Sequence, residues 1–145
     1  MPDQRKNRKA YRLIDHTADF GIRVVGKTKK ELFENAGYAL GDLIAGDAGS
    51  EPLKKKAMSI QGKDLPDLMV NWLRELLYLW TGMSCLVVSI RVKRISLGVV
   101  DAEIGLTPYD RERHIIRNEI KAVTYHQIQV NRTSAGWNSR IIFDV

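Results

Sequence analysis

One cysteine, Cys85, stands alone in the 145-residue chain. No intrachain disulfide and no cysteine-based zinc cluster can form from it. No apolar run approaches the ~18–20 residues a membrane span needs. The charged start, Met-Pro-Asp-Gln-Arg-Lys-Asn-Arg-Lys, is followed by no apolar stretch of the signal-peptide kind, so the expected compartment is the reducing cytoplasm. There is no repeat, no low-complexity block and no long linker. A P-loop, a Rossmann glycine fingerprint, a zinc-protease helix and a nucleophile elbow are all missing. Aromatic residues make up only 8% and fall mostly at core-like spacings, which leaves no stacking platform for single-stranded nucleic acid.

What is present suits one domain. The chain is 44% hydrophobic and 28% charged, and at this length it needs neither metal nor disulfide merely to fold. The net charge is +6. Residues 1–10 hold Arg5, Lys6, Arg8 and Lys9 against Asp3 alone, and read as a basic, flexible arm ahead of a domain over 11–145. Lys54, Lys55 and Lys56 form a second basic run. Such patches suit an anionic partner, although each taken singly reads first as a solvated surface.

Hydrophobic spacing predicts strands at Tyr11–His16 and Phe20–Val25. Thr28-Lys29-Lys30-Glu31 forms a capping box that opens a helix ending near Gly46. A strand follows at Ala57–Gln61. Asp64 then caps a second helix with Pro66 in its first turn and Gly82 as its stop. The remainder alternates as strands at Leu86–Ile95, Val99–Leu106, Ile120–Val130 and Trp137–Val145, with a turn at Asn131–Gly136. The expected class is α+β, with two helices packed on a largely antiparallel sheet.

Three places could carry chemistry. Asp15-His16-Thr17-Ala18-Asp19 crowds polar groups at a strand junction, where Asp and Thr also favour turns. Asp144 interrupts the apolar run Ile141-Ile142-Phe143-Asp144-Val145. With the carboxylate of Val145 it offers oxygens to a hard cation, or else it is a solvent-facing acid on an edge strand. Lys121 and Tyr125 share one face of the strand Ile120–Val130. His16, His114 and His126 are scattered, and Cys85 reads as a buried small hydrophobe.

Asp15-His16-Thr17-Ala18-Asp19-Phe20-Gly21 resembles the N-terminal signature of the archease family. The resemblance continues in Leu73-Arg74-Glu75-Leu76-Leu77-Tyr78, Arg113-His114, Ile120-Lys121-Ala122-Val123-Thr124-Tyr125-His126 and Ile142-Phe143-Asp144-Val145. It runs in order from Tyr11 to Val145. The arm before Tyr11 lies outside it, and Leu106 stands where the family often has Glu. The resemblance implies a non-enzymatic cofactor of the RtcB-type tRNA-splicing RNA ligase, one that promotes guanylation and multiple turnover and broadens nucleotide use. It also implies a divalent-metal site, usually assigned to calcium, with Asp19, Asp144 and the carboxylate of Val145 as ligands, and an activity-linked lysine at Lys121. The competing readings are a small basic RNA-binding module, a chaperone-like binder, and a metal-dependent hydrolase using Asp19 and Asp144 with His16.

Overall fold

The computed structural model describes residues 10–14 and 20–145. The arm other than Ala10 and the segment Asp15-His16-Thr17-Ala18-Asp19 lie outside the described residues, so the expectations placed on them, Asp19 and His16 included, have no structural account. The elements in chain order are β1 (Tyr11–Ile14), β2 (Phe20–Gly26), α1 (Lys29–Ile44), β3 (Lys54–Gln61), α2 (Leu65–Thr81), β4 (Cys85–Ser96), β5 (Val99–Pro108), β6 (Ala122–Val123), β7 (Gln129–Thr133) and β8 (Gly136–Asp144). The α+β class with two helices holds. The sheet, however, is two antiparallel sheets: β1-β2-β8-β6, with β7 also on β8, and β3-β5-β4. Both helices touch both sheets and so lie between them. That placement explains why α1 buries ten of its sixteen residues, leaving one open stripe that holds Lys30, Glu31, Glu34 and Asp42. No described helix is long and apolar enough to cross a membrane.

The helix starts follow the capping chemistry. Thr28 Oγ1 accepts the Glu31 N–H at 3.1 Å, and Asp64 Oδ1 accepts the Asp67 N–H at 2.9 Å. Each satisfies one of the four amides a helix start leaves unpaired. The last carbonyls of α1 are met by the loop beyond β5. Arg117 N–H donates to Ile44 O at 2.8 Å, and Asn118 Nδ2 donates to Leu43 O at 2.6 Å. Trp72 is fully buried and its Nε1–H reaches Phe33 O at 2.9 Å, tying α2 to α1.

Strand β4 is an edge, paired only with β5, and an edge exposes alternate amides. Here α1 covers them. Ile90 N–H donates to the Tyr38 hydroxyl at 2.9 Å, and Val92 N–H donates to Glu34 Oε2 at 2.8 Å. Residues 34 and 38 lie four apart on one helix face, and residues 90 and 92 point the same way from the strand, so the two periods match.

The strand expected at Ile120–Val130 is broken in two. β6 and β7 both pair with β8 on the side opposite β2, and residues 124–128 turn away between them. Thr124 explains the break. Its Oγ1 donates to Ile142 O at 2.9 Å and accepts the His126 N–H at 3.2 Å, a local bond that competes with the ladder. Gln127 then takes φ 54°, and Ile128 N–H closes the turn on Tyr125 O at 3.2 Å. Lys121 precedes β6 and does not share a strand face with Tyr125.

Candidate functional site

β8 is the middle strand of its sheet and ends at Asp144. Ile141 and Phe143 are fully buried against the helices. The two-residue alternation of a strand turns Asp144 to the other side with Ile142; Ile142 is also fully buried, but Asp144, at the end of the strand, is exposed. Val145 is 44% exposed. The backbone N–H of Lys121 donates to Asp144 O at 2.8 Å, and Ala122 pairs with Asp144. Two residues that are distant in sequence thus meet at one end of the sheet. β2 begins at that same end, with Phe20 opposite Phe143. Lys121 is exposed and sits on the rim of an open groove lined also by Trp80, Thr81, Ile116 and Glu119. Among the described residues no three His, Cys, Asp or Glu side chains cluster for a metal ion.

A second set of contacts holds the Lys-Ala-Val-Thr-Tyr-His segment in place, and the sequence reading missed it. Arg74 on α2 donates from Nε to Val123 O at 3.3 Å, and its guanidinium lies 4.8 Å from the Tyr125 ring centre. The Tyr125 hydroxyl donates to Asp67 Oδ1 at 2.7 Å. Asp67 Oδ2 accepts the Lys63 N–H at 2.9 Å. The Tyr125 hydroxyl bond, then the Lys63 amide, hold the Asp67 carboxyl below its ordinary pKa. The same bond to Asp67 is the main reason that the Tyr125 phenol is raised above its own. A signal for this clamp was present: Asp67 and Arg74 are seven residues apart and so lie on one helix face, and Arg74 and Tyr125 fall in two of the family-like blocks.

Of the remaining candidates, His114 and Cys85 are structural. His114 is 7% exposed. Its Nδ1 accepts the Asp110 N–H at 2.9 Å, which closes a turn. Cys85 is buried, with Sγ 3.5 Å from Met83 O. His126 is exposed on the turn after Thr124. Lys54, Lys55 and Lys56 are exposed on β3, with Lys55 Nζ 3.8 Å from Glu103.

The sequence pattern of the Archease protein family (MTH1598/TM1083) matches residues 11–145. Protein archease of Methanosarcina acetivorans is 33% identical, with 100% of each chain covered. Protein archease of Methanosarcina barkeri is also 33% identical, over 94% of this chain and 97% of that protein. The solution structure of protein 1598 of Methanobacterium thermoautotrophicum is similar with a TM-score of 0.75 and 26% identity, covering 94% of this chain and 99% of that one. A crystal structure from Thermotoga maritima, described as an archease, possible chaperone, has a TM-score of 0.61 at 21% identity, over 91% of this chain and 94% of that one. That last likeness bears on the fold alone.

Proposed function

The chain belongs to the archease family, and from that membership we propose that it is a protein cofactor rather than an enzyme. Its partner is an RtcB-type tRNA-splicing RNA ligase, whose guanylation and repeated turnover it promotes and whose nucleotide use it broadens. The observation that carries this reading is the meeting of Lys121 and Asp144 at one sheet end through a 2.8 Å backbone bond. It joins the family's activity-linked lysine to one of the family's metal-binding acids.

The donors fit a hard divalent cation, calcium in the family pattern. The carboxylates of Asp144 and Val145 lie at exposed positions, and Asp19 is one peptide bond from Phe20, the residue opposite Phe143. A bound cation would neutralise carboxylates that otherwise repel. Calcium takes ~6–8 oxygens, so these three groups leave room for water or for a group of the partner. Phe143 and Val123, both buried, hold the two strand ends rigid. The clamp from Arg74 and Asp67 fixes the chain beyond Val123. Lys121 is left exposed, with its ammonium available to an anionic group of the partner.

The test is multiple-turnover RNA joining by the ligase with and without this protein, alongside Asp144→Asn and Lys121→Gln. The expected result is that the wild-type protein converts a stalled ligase into a cycling one, and that both variants fail while keeping the native melting temperature. Unchanged turnover in either variant, or none with the wild type, overturns the proposal.

A further inference from the structure

The face of the β1-β2-β8 sheet that points away from the helices carries a cross-strand row of arginines. In register, Arg12 is opposite Arg23, Arg23 is opposite Arg140, and Arg140 is opposite Gln129. Ile22, Val24, Ile141 and Phe143 are fully buried in the core, so strand alternation places Arg23 and Arg140 on the outer side. Directly opposed residues bring their Cβ atoms within ~4.5–5.5 Å, and like charges so placed repel. Among the described residues no carboxylate forms an ion pair with any of the three, and the Nε of Arg140 is buried without a partner. In the next row Asn138 faces Asn131, adding amide donors, and Asn138 Oδ1 is likewise unpartnered.

The other sheet provides the contrast. On its outer face, Lys55 lies 3.8 Å from Glu103 and Arg94 lies 3.1 Å from Asp101. One sheet pairs two of its basic residues with acids, whereas the other aligns arginines without such pairs among the described residues.

We propose that the outer face of β1, β2 and β8 binds the phosphate backbone of RNA. The row spans two strand spacings, ~9.6 Å, and guanidinium forks match phosphate oxygens in pairs. Val25 on that face is 48% exposed, whereas Ile142, next to Arg140 on the same side of β8, is fully buried, and no aromatic residue stands in these rows. A protein interface would want an apolar or aromatic centre, and base reading would want stacking rings. The face therefore takes phosphates without reading sequence.

The experiment measures fluorescence anisotropy of a short labelled single-stranded RNA across a salt series, with no ligase present, so its failure would not touch the ligase reading. Wild-type protein is compared with an Arg23→Gln, Arg140→Gln double variant and with a Lys55→Gln, Arg94→Gln variant that removes the same charge from the other sheet. Losing two single-strand phosphate contacts lowers the slope of log K against log salt by about 1.4. That corresponds to roughly 25-fold weaker binding at 0.1 M salt relative to 1 M. The Lys55, Arg94 variant is expected to bind nearly as wild type. Should the double variant fail to fold, Arg23→Gln alone replaces it, with a slope change of about 0.7. Three results overturn the proposal: no binding by wild type, equal loss in both variants, or displacement of the RNA by polyglutamate as readily per charge as by unlabelled RNA. The last would assign the face to an acidic protein partner instead.

Discussion

Replacing Tyr38 by Phe tests how α1 covers the edge of β4. The hydroxyl accepts the Ile90 N–H at 2.9 Å and faces Ile90 O at 3.4 Å. Tyr38 is 9% exposed and Ile90 is 5%, so water is poorly placed to substitute. The ring stays and the packing is unchanged, but a buried backbone donor loses its acceptor. An orphaned buried donor costs about 1–3 kcal/mol. For a domain of this size, each kcal/mol moves the melting temperature by ~3 °C, so the expected fall is about 3–9 °C. Calorimetry measures it, with Tyr78→Phe as the control, since Tyr78 is 57% exposed and should stay near zero. Hydrogen exchange should quicken at Ile90 while Val92, held by Glu34, stays protected. A fall below about 1 °C, or one matched by Tyr78→Phe, would refute the account. Removing Glu34 as well, as Glu34→Ala with Tyr38→Phe, would leave both edge amides bare and should promote self-association.

Two glycines should respond with opposite signs. Gly26→Ala would place a Cβ 2.5 Å from the backbone N of Leu32 and 2.8 Å from its Cα, so α1 must shift, at a cost of about 1–3 kcal/mol in chemical denaturation. Gly41→Ala, in the last turn of α1, meets nothing within 4 Å and should stabilise by about 0.4–1 kcal/mol. Tyr125→Phe removes the main bond that lowers the Asp67 pKa in the native fold, leaving the Lys63 amide. The stability tied to that lowering is present above the ordinary value of about 3.9 and fades as pH falls through the native one. The melting-temperature gap between wild type and Tyr125→Phe should therefore narrow below about pH 4. On the alkaline side the phenol is raised, so its share is present below about pH 10 and lost as pH climbs through the native value. A gap constant from acid to alkali would refute the bond. Lys121→Gln, at an exposed position, should change stability by under about 0.5 kcal/mol. A larger loss in urea melts would mean that Lys121 props up the fold, so that a loss of ligase support in this variant, if found, would not report contact.

The helices were legible because capping is local: Thr28 with Glu31, and Asp64 with Asp67, lie within one turn. The split into two sheets was not legible, since the alternation that buries Ile22 and Val24 looks the same whichever sheet a strand joins. Ile22 pairs with Ile141 and Ile104 with Ile90, and nothing in either strand announces its partner. The break after β6 was hidden for another reason. Thr124, Tyr125 and His126 keep a strand-like alternation; the Thr124 N–H still bonds Ile142 O at 3.0 Å, and its hydroxyl, by accepting the His126 amide, turns the chain. At the candidate site, Asp144 stood out as an acid in an apolar run and the role of Lys121 came from a family-like block, and what the structure added was their shared hydrogen bond. The Arg74 clamp escaped notice because polar residues on a helix face read as solvated until a partner strand is seen.

The position of β8 also sets an order in time. β1 and β2 can form their hairpin as soon as both exist, yet the flank of β2 that receives Ile141 and Phe143 stays bare until the last described strand arrives. Closing so distant a pairing is slow, and until then Ile22 and Val24 line an unfinished sheet open to neighbouring chains. The contact between Lys121 and Asp144 comes with that closing strand. A molecule in which Lys121 and Asp144 have met has therefore also closed the long-range pairing of β2 with β8.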